Sequence, residues 1–107
     1  MSNQVVLSFD DLKNEGNSFY KQKDYEQALK LYNTAINYAK TQANKDEYNL
    51  SSVYVNMALC YSSMLRCDEA ILHTKIALQH DPKYEKAYFR LIKCKYINRN
   101  LYLWLYI

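Results

Sequence analysis

Two segments of the chain decide its fold: Tyr54-Val-Asn-Met-Ala-Leu-Cys-Tyr61 and Ala70-Ile-Leu-His-Thr-Lys-Ile-Ala77. In each, small and apolar side chains recur at spacings of three and four residues, which is the spacing of one face of an α-helix. A short polar stretch, residues 65–68, separates the two segments. We therefore expect a pair of helices joined by a tight turn.

The same pattern occurs once before these segments and begins again after them. The earlier copy reads Leu12-x3-Gly16-x2-Phe19 and then Ala28-x3-Tyr32-x2-Ala35, and the later one begins Tyr88-x3-Ile92. Tyr54 and Tyr88 are 34 residues apart, whereas Leu12 and Tyr54 are 42 apart. A fixed period of this length is typical of repeat proteins, and the longer first interval predicts an eight-residue extension around residues 41–49.

The spacing predicts helices over residues 9–21, 25–43, 47–64, 68–80 and 84–98. Small residues occupy the places where one helix crosses another, because large ones there would force the axes apart; they are Gly16, Ala28, Ala35, Ala58, Ala70 and Ala77. Asp24 and Asp68 are predicted N-caps of the second helices, and Pro82 is expected to end a helix.

Aromatic residues accompany these small ones. Tyr32, Tyr54, Tyr61 and Tyr88 fall on packing positions and are predicted core residues, whereas the two histidines, His73 and His80, are predicted to face solvent.

This alternation of small and aromatic positions resembles the tetratricopeptide repeat over about residues 9–98. The resemblance implies an all-α fold, an antiparallel helix-pair solenoid of about two and a half repeats. The expected organisation is a single domain, residues 1–107. It comprises a first repeat at 9–43 with an extension to 49, a second at 51–82 and an incomplete third at 85–107.

The first helix of each repeat carries polar side chains on one stripe. Such solenoids bind their ligands on a concave surface, and the polar residues expected there are Lys13, Asn17, Asn56, Lys86 and Arg90. Cations with amide donors suit a ligand that bears two neighbouring carboxylates, such as a C-terminal aspartate. Tyr20, Leu59 and Ser63 continue the stripes and form a candidate pocket for a ligand side chain.

Three strings narrow the resemblance: Leu12-Lys-Asn-Glu-Gly-Asn17, Val55-Asn-Met-Ala-Leu-Cys-Tyr61 and Asp81-Pro-Lys-Tyr-Glu-Lys-Ala-Tyr-Phe-Arg90. They are similar to the dicarboxylate-clamp repeats of heat-shock co-chaperones, and most similar to the repeat domains of the large immunophilins. The resemblance implies that the five polar residues form the clamp. It also implies that the ligand is the Glu-Glu-Val-Asp tail of the cytosolic seventy- or ninety-kilodalton chaperones. A generic repeat scaffold that binds another protein in its groove is the alternative.

Other function classes receive little support. The chain has no Ser/His/Asp, Cys/His or glycine-rich phosphate pattern, so no enzyme, cofactor or metal site is expected. Three cysteines without paired spacing indicate reduced thiols in a cytoplasmic protein. The net charge of +3 is mild, and nucleic-acid binding by the basic C-terminal third is a remote alternative; its residues are Lys93, Lys95, Tyr96, Arg99 and Tyr102.

The C-terminal run, residues 101–107, does not resemble a repeat helix. It is apolar but seven residues long, whereas a membrane span needs about twenty, so no membrane association is expected. Trp104 stands where the repeat calls for a small residue. Our hypothesis is that the chain is truncated or diverges here, which would leave an apolar flank open to self-association.

Overall fold

The computed structural model describes residues 7–87 and residue 94. The helices are α1 (Phe9–Lys21), α2 (Tyr25–Lys40), a short 3-10 helix (Lys45–Glu47), α3 (Leu50–Ser63) and α4 (Cys67–His80). Residues 85–87 and 94 are also helical, and no strand occurs among the residues described. The all-α prediction is confirmed.

The chain divides into two compact units, Met1–Tyr48 and Asn49–Ile107. The helix pair α1–α2 belongs to the first unit and the pair α3–α4 to the second. Most of the predicted third repeat, 85–107, lies outside the described residues, as does most of its predicted helix 84–98.

Local hydrogen bonds start both helices of the first unit. Ser8 and Asp11 form a capping box, in which each side chain accepts a backbone N–H of the other residue at 3.1 Å. Asp24 caps α2 by accepting the N–H of Gln27 at 3.3 Å, as predicted. These caps satisfy N–H groups that have no partner within the helix.

The core of the first unit lies between α1 and α2. Leu12 of α1 and Ile36 of α2 are buried, and Ala28, Ala35 and Ala39 are fully enclosed. Aromatic rings close one end: the Phe9 and Tyr48 ring centroids lie 4.9 Å apart.

The core of the second unit is built from α3 and α4. α3 is buried on most of its surface, with Val53, Met57 and Ala58 almost completely enclosed. The buried Ser51 hydroxyl donates to the carbonyl of Ala77 at 3.0 Å, which ties the start of α3 to the end of α4.

The prediction that Asp68 caps α4 is wrong. The N-cap is Arg66, which makes no side-chain cap bond, and Asp68 lies in the first turn of the helix. The reason is the repeat register: Arg66, not Asp68, lies 42 residues after Asp24, the same interval that separates Leu12 from Tyr54.

Several predicted helix ends differ from the observed ones by one to three residues. α2 ends at Lys40 rather than 43, and α3 begins at Leu50 rather than 47. In between, Lys45–Glu47 form the 3-10 helix, Tyr48 is extended, and Asn49 caps α3 by accepting the Ser52 N–H at 3.1 Å. Pro82 follows the end of α4, as expected.

Candidate functional site

The polar stripe of the first unit lies on α1. Lys13 and Asn17 are four residues apart, so their side chains share one face of the helix, and both are half-buried. Tyr20 continues the stripe and is also half-buried, with its ring centroid 5.5 Å from that of Tyr25. One ammonium group and one amide therefore lie side by side on this surface.

The Asn17 side chain is tied to the neighbouring helix. The hydroxyl of Tyr32, on α2, donates a hydrogen bond to Asn17 Oδ1 at 2.5 Å. Tyr32 was predicted only as a core residue, and at 1% exposure it is one. The bond to Asn17 is an addition that the spacing alone does not reveal.

The polar stripe of the second unit begins on α3. Asn56 and Leu59 are half-buried, and Ser63, one turn further, is exposed at the end of the helix. These three residues lie on one face by their spacing. Their pocket with Tyr20 stays a prediction, because Tyr20 belongs to the other unit.

The cations of the third repeat lie after Pro82. Lys86 is exposed within the helical residues 85–87, whereas Arg90 lies outside the described residues. The structure thus places Lys13 and Asn17 in the first unit and Asn56 and Lys86 in the second. Their joint action as a clamp stays a prediction.

An aromatic row runs between α3 and α4. The His73 ring centroid lies 4.8 Å from that of Tyr61 and 6.1 Å from that of Tyr54, and the His80 ring stacks on Tyr54 at 5.5 Å. His73 is half-buried, and its Nδ1 lies 2.8 Å from the carbonyl oxygen of Glu69. The prediction that His73 faces solvent is therefore wrong, because tyrosine rings cover it; His80 is exposed, as expected.

All three cysteines are free and buried in the second unit. Burial raises the pKa of Cys60 to about 12. Burial, with a hydrogen bond from Cys94, raises the pKa of Cys67 to about 12. Because a thiolate is the reactive form, these groups are poor nucleophiles near neutral pH.

The remaining predictions fall partly outside the described residues. Tyr88 and the basic residues proposed for nucleic-acid binding, Lys93 to Tyr102, lie there, as do Trp104 and the run 101–107. Across the part of the chain that is described, none of the helices combines the length and apolar character required to cross a membrane.

Comparison with known proteins gives one family. Its model, described as tetratricopeptide repeat, matches residues 11–83. The human mitochondrial import receptor subunit TOM70 is 37% identical over 81 residues, which are 76% of this chain and 13% of that protein. Small glutamine-rich tetratricopeptide repeat-containing protein 2 of Saccharomyces cerevisiae is 36% identical over 87 residues, 81% of this chain and 23% of that protein.

A third relative is a DnaJ homolog subfamily C member 7 homolog from Dictyostelium discoideum, 31% identical over 95 residues, 89% of this chain and 17% of that protein. The chain thus spans 13–23% of the length of these relatives. The family match runs from the first turn of α1 to just beyond α4. Both helix pairs also bury their small residues at the same repeat positions. The chain belongs to the tetratricopeptide repeat family.

Proposed function

We propose that this chain is a non-enzymatic interaction module that captures the C-terminal carboxylates of a partner protein. The clamp would consist of Lys13, Asn17, Asn56, Lys86 and Arg90. The ligand would be the acidic Glu-Glu-Val-Asp tail of cytosolic heat-shock chaperones of the seventy- or ninety-kilodalton class, which places the protein in the cytoplasm.

The observation that carries the proposal is the α1 face. Lys13 and Asn17 lie on it together, half-buried rather than fully solvated, and Asn17 is fixed through its oxygen by Tyr32. Its other polar atom, Nδ2, is a donor, which is the type of group that a carboxylate requires. A lysine beside it supplies a flexible positive charge.

The relatives support an interaction role. One is named an import receptor subunit and another a DnaJ homolog, and both names belong to proteins that handle other proteins. The narrower similarity to the immunophilin repeat domains stays a prediction, as does the clamp as a whole.

The affinity follows from the number of contacts. Charge-assisted hydrogen bonds contribute about 1.5–3 kcal/mol each, and ordering a flexible tail offsets several kcal/mol of that gain. We expect a micromolar Kd, roughly −8 kcal/mol.

Alanine variants test the residue assignment. Lys13→Ala and Arg90→Ala are each expected to weaken binding of a Glu-Glu-Val-Asp pentapeptide by about tenfold or more, measured by isothermal titration calorimetry. The matched control is Lys30→Ala, which removes the same charge from an exposed place on α2. An equal effect of Lys13→Ala and Lys30→Ala would show that only net charge matters and would reject the clamp in favour of a generic scaffold.

A further inference from the structure

We propose that the buried Tyr32 hydroxyl is a positioning group that orients the Asn17 side-chain amide for ligand binding. The inference rests on the proposed function and names a residue outside the predicted clamp. It stands on three features of the first unit: a close approach at Gly16, the hydrogen bond itself, and a contrast with the second helix pair.

Gly16 lets the Tyr32 ring lie against α1. A Cβ at this position would come within 2.6 Å of Tyr32 Cε1 and 2.8 Å of Cδ1, closer than real contacts allow. Only a residue without a side chain permits this approach. The ring is 1% exposed and cannot easily move, so its hydroxyl is held beside the residue that follows Gly16.

The hydrogen bond fixes which way the amide faces. An asparagine amide has an acceptor end, Oδ1, and a donor end, Nδ2, and it can turn to present either. Because the Tyr32 hydroxyl donates to Oδ1, the opposite orientation would bring two donors together. The amide is thus locked with Nδ2 as its second polar end before any ligand arrives.

The second helix pair does not reproduce this arrangement. At a distance of 42 residues from Gly16, Asn17 and Tyr32, the chain carries Ala58, Leu59 and Thr74. The Thr74 hydroxyl donates to the carbonyl of Ala70, within its own helix, at 2.8 Å. Within the described helix pairs, the Gly–Asn–Tyr combination therefore occurs where a clamp asparagine is predicted, and it is not a general packing device of this repeat.

Orientation before binding matters because a ligand otherwise has to supply the free energy of ordering the side chain. A carboxylate that meets a misoriented Asn17 would face the amide oxygen, which repels it. Loss of one neutral hydrogen bond typically changes an equilibrium about three- to tenfold, and we expect an effect of that size on peptide affinity.

The test is a double-mutant cycle on the full chain, with the Glu-Glu-Val-Asp pentapeptide as the probe. Tyr32→Phe removes one oxygen and keeps the ring. It is expected to weaken binding about three- to tenfold in the wild-type background, and by less than about twofold in an Asn17→Ala background. Tyr38→Phe is the control, since it removes the hydroxyl of a half-buried tyrosine on the same helix that bonds Tyr48 instead.

A purely structural role gives a different result. Tyr32→Phe would then lower thermal stability and affect binding equally in both backgrounds, or not at all, and either outcome overturns the inference. If Asn17→Ala itself leaves the affinity unchanged, the clamp assignment fails and the inference with it. If Asn17→Ala weakens binding and Tyr32→Phe does not, the clamp stands and only the positioning role is rejected.

A measurement on the wild-type chain covers the case in which Tyr32→Phe does not fold. The Asn17 side-chain amide signal, identified by its loss in Asn17→Ala, is expected to show the ¹⁵N relaxation of an ordered group before peptide is added. Relaxation typical of a freely rotating side chain would overturn the inference.

Discussion

Leu65 and Lys23 hold the same unusual backbone conformation at the same place in the two helix pairs. Their φ angles are 60° and 64°, in the left-handed region that disfavours side chains. Each residue immediately precedes the N-cap of the second helix, so the tight turn depends on this conformation. Leu65 is also 74% exposed, so its side chain gains little from packing.

Leu65→Gly is expected to stabilise the protein by about 1 kcal/mol, because glycine adopts positive φ without the steric penalty of a Cβ. The greater freedom of glycine in the unfolded chain reduces this gain. Urea denaturation followed by the helical circular dichroism signal measures it. Leu65→Ala is the control, since it removes the exposed side chain but retains the Cβ. A gain as large with alanine would contradict the role assigned to φ.

Single residues also show how far the sequence predicts this molecule. The spacing of three and four identified Gly16 and the buried alanines, because it reports which residues face a neighbouring helix. It did not reveal the bond between Tyr32 and Asn17, which are 15 residues apart. That bond depends on how deeply the tyrosine ring approaches α1, and periodicity carries no such distance. A glycine directly before the predicted clamp asparagine was the available signal.

At the scale of helices, the two second helices begin differently. Asp24 accepts a backbone N–H at the start of α2, whereas Arg66 at the start of α4 makes no side-chain cap bond and pairs with Glu69. The pair is exposed and contributes little to stability. The composition of both turns suggested an aspartate cap, and only the 42-residue register distinguishes Arg66 from Asp68.

Asp24→Ala is expected to lower the free energy of unfolding by about 1 kcal/mol, because it leaves the Gln27 N–H without its side-chain acceptor. Asp68→Ala is the matched control: it removes the same charge from the first turn of α4, where the effect on the helix dipole is worth a few tenths of a kcal/mol. Urea denaturation compares the two variants. Equal losses would contradict the observed caps and restore Asp68 as the capping residue.

At the scale of the whole molecule, the buried thiols make stability depend on alkaline pH. The pKa of Cys60 rises from an ordinary value of 9.0 to about 12 on folding. The folded state therefore holds its proton more tightly than the unfolded state. The resulting stability is fully present below pH 9 and is lost as pH rises towards 12.

Between pH 9 and 11, we expect Cys60 to account for a loss of up to about 1 kcal/mol per pH unit. Thermal or urea denaturation of wild-type and Cys60→Ala chains at several pH values measures it. The alanine variant is expected to be less stable at pH 7 but to have a shallower pH dependence. Parallel curves for the two chains would contradict a buried, protonated Cys60.

The candidate site was predictable from the sequence to the extent that it lies within one helix. Lys13 and Asn17 are brought together by a helical spacing of four, and the structure shows both on α1. The full clamp also requires Asn56, Lys86 and Arg90. Their position relative to α1 depends on how successive helix pairs stack, which local spacing does not determine.

The central claim, that the chain grips C-terminal carboxylates, is tested most directly by comparing two pentapeptides. Both end in Glu-Glu-Val-Asp, one with a free C-terminus and one amidated, and each is titrated by calorimetry at low and at physiological salt. The account predicts a micromolar Kd for the free acid, weakening as salt rises, and a loss of at least about tenfold on amidation. Equal affinity for the two peptides, or no binding of either, would contradict it.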